Sequence, residues 1–181
     1  MGTKCKFHNG LQVFSTKPQM IAAGGVITSN QQVANSTTET VVLTETLGAN
    51  TLYQTGMCFR VFMAGEISSD GSDDITLTLR YGTTDILALV TAALANEDDM
   101  PFKAEWTGHI LTAGATGKVI ASAFGTFFQG TPLYFAADTA NTGASVDLTA
   151  AGALNVTAHW DGAAASSDII VTHGWIEFYN Q

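Results

Sequence analysis

Residues 73–81 read Asp-Asp-Ile-Thr-Leu-Thr-Leu-Arg-Tyr, and from Ile75 onward apolar and polar side chains alternate without a break. Successive side chains on an extended chain point to opposite faces. Ile75, Leu77, Leu79 and Tyr81 therefore share one face, and Thr76, Thr78 and Arg80 share the other. This spacing describes a strand with one buried and one wet face. The same period recurs in Met57, Phe59, Val61, Met63 and Ile67 against Cys58, Arg60, Ala64 and Glu66. Phe102, Ala104, Trp106 and Ile110 alternate with Lys103, Glu105, Thr107 and His109, and Leu154, Val156, Ala158 and Trp160 with Asn155, Thr157 and His159. Less regular strand-like runs fall near 38–47, 84–91, 118–127, 131–136 and 168–178.

Turn chemistries separate these runs: Ser69-Asp70-Gly71-Ser72, Ala113-Gly114-Ala115-Thr116-Gly117, Asn141-Thr142-Gly143 and Asp161-Gly162. About nine short strands with turns at this spacing imply an antiparallel sandwich or barrel. The Leu- and Ala-rich stretch from Asp85 to Asp99 is ambiguous by composition. The Gly82-Thr83-Thr84 turn before it favours a hairpin return strand leading into a loop, with Glu97-Asp98-Asp99 as a wet loop edge.

Composition supports this class. The chain has 181 residues, enough for one domain with a sizeable core, and 46% of them are apolar while only 13% are charged, which argues against disorder. Thr, Ser, Asn and Gly occupy the wet positions that Lys, Glu and Arg would fill on helices. The net charge of −9 disfavours nucleic acid as a partner, because phosphate contacts need clustered Lys and Arg. A membrane is disfavoured too. The longest apolar run, Ile86 to Ala95, is about half of the roughly 20 residues a spanning helix needs. The first residues, Met-Gly-Thr-Lys-Cys-Lys-Phe-His, lack the apolar stretch of a secretory signal. Cys5 and Cys58 form no C-x-x-C pair, and two free thiols are expected.

Charge is unevenly placed. Residues 1–38 carry Lys4, Lys6 and Lys17 and no acid, a net of +3, whereas the remaining residues sum to −12. Residues 1–34 are also rich in Gly, Ser, Asn and Gln, with breaks at Gly24-Gly25 and Asn30-Gln31-Gln32. They read as a basic N-terminal arm, with one short strand near Leu11–Phe14, joined to a β-sandwich body over 35–181. An ordinary terminal strand with a few lysines is the plainer reading. As an arm, Lys4, Lys6 and Lys17 would dock on an acidic surface of a neighbouring subunit, with contacts that weaken in salt.

The order of elements resembles the jelly-roll structural proteins of tailed bacteriophages. The likeness rests on Thr-Glu-Thr-Val-Val-Leu at 38–43, Leu-Gly-Ala-Asn-Thr-Leu at 47–52, Gly-Met-Cys-Phe-Arg-Val-Phe-Met-Ala-Gly-Glu-Ile at 56–67 and Leu-Thr-Leu-Arg-Tyr-Gly at 77–82. It continues in Phe-Lys-Ala-Glu-Trp-Thr at 102–107, Gly-Lys-Val-Ile-Ala-Ser at 117–122 and Leu-Asn-Val-Thr-Ala-His-Trp at 154–160. It covers roughly 35–181 and consists of strand and turn patterns. The resemblance implies a virion component: a head decoration (cement) protein, a head spike or a tail-fibre module, often trimeric. It carries over no site residue.

Candidate chemistry is sparse. Asp70, Asp73 and Asp74 crowd one turn and suggest Ca²⁺, but D-x-x-D-D lacks the ligand order of an EF-hand, and a solvated hairpin turn explains it as well. His8, His109, His159 and His173 show no metal-ligand spacing. No serine sits in a G-x-S-x-G turn, and no carboxylate pair is singled out for glycosidase work. Trp106 and Trp160 fall on apolar faces and read as core. Trp175 departs from the register in which Ile170, Ile176 and Phe178 point inward, so it reads as an interface or ligand aromatic unless a bulge at Gly174 returns it to the core.

The expectation is thus an all-β, antiparallel, jelly-roll-like sandwich with an extended N-terminal arm, non-enzymatic and without a cofactor. Its expected role is a capsid decoration subunit on the virion, assembled in the host cytoplasm, with itself (as a homotrimer) and the phage major capsid protein as partners. The alternative is a receptor- or carbohydrate-binding module of a tail or fibre.

Overall fold

The structure is a computed structural model that describes residues 19–180 except 93, 130, 140 and 141. Lys4, Lys6, Lys17 and the strand expected near Leu11–Phe14 lie outside the described residues. Among the described residues there are twelve strands and no helix. They are β1 (Gln19–Gly24), β2 (Gln31–Ala34), β3 (Thr40–Leu47), β4 (Cys58–Asp70), β5 (Ile75–Tyr81) and β6 (Thr84–Val90). β7 (Asn96–Thr112), β8 (Gly117–Gln129), β9 (Thr131–Asp138), β10 (Ala144–Val146), β11 (Gly152–Trp160) and β12 (Asp168–Asn180) follow.

The pairing is nested. β1 pairs β12, β3 pairs β11, β4 pairs β7 and β5 pairs β6, all antiparallel. The chain is therefore one long hairpin folded over on itself, which gives a sheet ordered β3-β11-β5-β6 against one containing β1-β12-β4-β7. This is the jelly-roll arrangement. β8, β9 and β10 widen the second sheet beyond β7, and β2 continues along the edge of β12, so that sheet has eight strands against four.

Local chemistry closes the hairpins. Tyr81 pairs Thr84 across a two-residue turn in which Gly82 has φ +59°, a left-handed conformation that glycine adopts without strain. In the β4–β5 turn Asp70 Oδ1 accepts from the Ser72 N–H at 2.9 Å while Gly71 sits at φ +86°. β6 is the hairpin return strand expected after the Gly82 turn. Glu97-Asp98-Asp99 differs from the loop expected of it: these residues are exposed but begin β7, with Glu97 opposite Ser69.

The inner faces meet over Trp106, Trp160, Phe127, Phe178, Met57, Met63 and Ile67, all fully buried, joined by Ile75, Leu77 and Leu79 of the alternating run at 75–81. Burial of each such side chain contributes about 1.5–3 kcal/mol. The Trp160 indole N–H donates to the Val33 carbonyl at 3.2 Å and so ties the small sheet to β2 of the large one.

Two features depart from simple alternation. First, residues 19–34, read as part of an arm, carry β1 and β2, paired to β12 along 176–180 and 168–171. The free edge of β12 would otherwise expose a row of unpaired N–H and C=O groups, and Val33 enters the core. Second, β12 shifts register between Val171 and His173. Ile169 and Val171 face the core before the shift, and Gly174, Ile176 and Phe178 after it, so Ile170 is not on the inner face as its parity with Ile176 implied. The irregularity falls at Thr172 instead of Gly174.

That bulge presses on β4. A Cβ at Gly65 would lie 1.9 Å from the Ile170 carbonyl oxygen and 3.1 Å from the Thr172 nitrogen, both backbone atoms that cannot swing aside. Gly65→Ala is expected to cost about 1–3 kcal/mol, read as a lowered denaturation midpoint with an unchanged m-value in urea titration.

Candidate functional site

The outer face of the large sheet should be its wet face, yet a line of rings crosses it. Register pairs Trp175 of β12 with Phe62 of β4, Phe62 with Glu105 of β7, Glu105 with Phe124 of β8 and Phe124 with Ala136 of β9. Strands lie about 4.8 Å apart, so this row spans about 19 Å across five strands. Trp175 and Phe62 stack with centroids 4.2 Å apart and planes 25° off parallel. Phe124 stacks on Tyr134 at 5.8 Å. Phe124 is 46% exposed, Tyr134 65% and Phe128, four residues further along β8, 42%.

Polar groups interrupt the rings. Arg60 donates from Nε and Nη2 to the two carboxylate oxygens of Glu105, both at 2.9 Å. Both side chains are more than a third exposed, so this pair contributes about 0.2–1 kcal/mol to stability and serves mainly to hold two planar polar groups in place. The Tyr179 hydroxyl donates to Glu177 at 2.6 Å, and that bond holds the phenol above its ordinary range. Hollows of about 180 and 250 Å³ flank Glu105. Arg60, Phe62, Lys103 and Phe124 line the first, with Thr107 and Ser122 lining the second.

Trp175 is half-buried and lies on this outer face, against Phe62. Its partners escaped the sequence reading. Phe62, Phe124, Phe128 and Tyr134 each occupy the wet parity of their strands, opposite to Val61, Ala123, Phe127 and Phe135. Aromatic residues at off-parity positions in three strands, β4, β8 and β9, were the available signal. That they share one patch depends on strand order, which alternation does not encode.

The other residues singled out are dispersed. His109, His159 and His173 lie on separate strands, and among the described residues no group of three or more His, Cys, Asp or Glu side chains is placed to hold a metal ion. Asp70 is spent on its own turn, where the Ser72 hydroxyl and N–H hold its carboxyl below the usual range. Asp73 is buried and accepts from the Ala164 N–H at 3.3 Å. A groove of about 360 Å³ between residues 25–31 and 41–44 is lined by Val26, Ile27, Val41 and backbone-rich neighbours, with no charged or aromatic group. The aromatic face is thus the richer candidate. No protein-family model matches this chain, and no curated protein matches it.

Asp74 gives a pH prediction. Burial, and then the charges of Asp161 and Asp73, raise its carboxyl above the ordinary 3.8. The folded state therefore holds the Asp74 proton to higher pH than the unfolded chain does. The resulting penalty is fully present above the raised value and vanishes below 3.8. Asp74→Asn is expected to raise stability near neutral pH, with the gain shrinking as pH falls through that window, as measured by urea denaturation across an acid pH series.

Proposed function

We propose that the chain is a non-enzymatic virion structural protein, a decoration or cement subunit that binds and stabilises an assembled phage head. One observation carries the reading: an aromatic patch exposed on the broad sheet of a jelly roll whose strand and turn pattern resembles phage structural proteins. Contiguous apolar surface of this kind marks a protein that works in contact with another surface. A cement subunit acts mechanically. It covers apolar area between neighbours, and many modest contacts repeated by shell symmetry add up through avidity. The basic segment with Lys4, Lys6 and Lys17 supplies charge opposite to the −9 of the whole chain and suits docking on an acidic neighbour.

A second reading, a receptor- or carbohydrate-binding module at a tail or fibre, is favoured by the hollows beside Glu105. Their linings combine Phe62 and Phe124 with Arg60, Glu105, Thr107 and Ser122, the mixture that suits a ligand with an apolar face and hydroxyl edges.

Antibody raised to the chain is expected to label heads in immunogold images of particles that carry it. Label confined to tails favours the receptor module, and absence of label from every particle removes both. Deletion should spare β1 and β2, which belong to the sheet. A chain lacking residues 2–18 is expected to keep its circular dichroism spectrum and lose head occupancy in a co-sedimentation assay. The second reading predicts instead saturable binding to host cells that Trp175→Ala abolishes.

A further inference from the structure

One ring and one carboxylate are common to both hollows of the aromatic face. Phe124 and Glu105 stand directly opposite each other across β8 and β7, and both line the hollow of about 180 Å³ and that of about 250 Å³. Together the two exceed the roughly 300 Å³ at which small-ligand sites begin. Tyr134 stacks on Phe124 from the β9 side, whereas the hollows lie on the β7 side. Part of the Phe124 ring therefore stays open toward them and offers a flat apolar surface to C–H groups.

The carboxylate is held for a different task. Each Glu105 oxygen accepts one N–H from Arg60 at 2.9 Å and keeps a further lone pair. Arg60 commits only Nε and Nη2 to this pair, so other N–H groups of the same fork remain as donors. Two adjacent acceptors in one plane, with donors alongside, match two neighbouring hydroxyl groups on a ring. Thr107 and Ser122 add hydroxyls in the larger hollow, and Lys103 an ammonium group in the smaller.

A buried hydroxyl on the same face lacks a partner. Thr126 shares the outward parity of Phe124 and Phe128, yet it is only 2% exposed. Its Oγ1 makes no hydrogen bond among the described residues. Buried polar atoms left in this state are uncommon in folded chains. Its neighbours across the strands are Tyr134 and Lys103, the latter exposed and without an ion pair among the described residues. Turning Lys103 aside opens the Thr126 hydroxyl to a polar group that enters the smaller hollow.

Charge selects within this ligand class. The chain carries a net −9, and Glu66, Asp168 and Glu177 face outward on the same sheet, with exposed Glu97, Asp98 and Asp99 at the start of β7. A polyanionic glycan is repelled along such a surface, whereas a neutral one meets only the groups at the site.

From these we infer that the hollows astride Glu105 bind a neutral saccharide, its ring lying on Phe124 and two adjacent hydroxyls on the Glu105 carboxylate. This rests on the second reading above and gives it a ligand class and the residues that recognise it. Trp175, stacked on Phe62, then acts as a support of the smaller hollow and not as the platform itself.

The test is saturation-transfer NMR on the purified full-length chain with gluco-, manno- and galacto-oligosaccharides, and with an oligouronate as the anionic comparison. Transfer to ring C–H protons of at least one neutral oligosaccharide is expected, and none to the oligouronate. Phe124→Ala and Glu105→Gln are each expected to weaken the affinity for that oligosaccharide about tenfold or more in titration calorimetry. Both side chains reach solvent, so the variants should keep the wild-type circular dichroism spectrum. Tyr53→Ala, at an exposed aromatic outside both sheets, should leave binding unchanged. Absence of transfer to every neutral oligosaccharide, a preference for the oligouronate, or wild-type affinity in Phe124→Ala overturns the inference. A chain that binds host cells but no neutral oligosaccharide also overturns it, and leaves the receptor reading standing. Neutral oligosaccharide bound through Phe124 by a chain that labels no tail leaves the site standing and removes the receptor reading.

Discussion

Everything in this protein depends on one constraint: two sheets must each bury one face against the other, and a two-residue period decides which side chains are buried. Trp106 and Trp160 enter the same core because each sits on the inward parity of a strand in a different sheet. The constraint is unforgiving, because a shift by one residue turns a whole strand inside out. Register shifts are therefore the places where the fold makes choices. The shift at Thr172 brings Ile169 and Val171 inward, keeps Ile176 and Phe178 inward beyond it, and holds Trp175 outside. Its cost falls on the neighbouring strand, where only glycine fits at position 65.

The nested pairing distributes the rest. Because the first strand pairs with the last, β12 lies inside the large sheet between β1 and β4. Trp175 therefore stands next to Phe62, more than a hundred residues away in sequence. The strands inserted between β7 and β11 extend the same sheet on its other side and bring Phe124 and Tyr134 into line. Without that insertion the outer face would end at β7, with a single pair of rings. The aromatic patch is a product of the extended sheet, and it gives a fold with two unequal sides one side suited to contact.

Some of this was legible in the residues. Period-two runs placed the core of β4, β5, β7 and β11, and the Gly82 and Gly71 turns placed two hairpin ends. β1, β2 and β10 were not legible. They are short, and they exist because β12 and β8 offer edges to pair with, which is a property of distant strands. The acidic residues 97–99 looked like loop for a similar reason: β7 runs past the core to stay paired with β4, and pairing outweighs the poor strand propensity of Asp. Of the candidate site, Trp175 stood out because it broke the register, whereas Phe62 and Phe124 were lost among apolar neighbours.

By itself the sequence determined the class of the fold, the faces of its regular strands and the acidity of its surface, because each of these follows from local period or from composition. Strand order, the bulge at Thr172 and the joining of Trp175, Phe62, Phe124 and Tyr134 into one surface were decided only by the tertiary structure. Alternation specifies which way a side chain points. It says nothing of which strand lies alongside, and a binding face is made of neighbours.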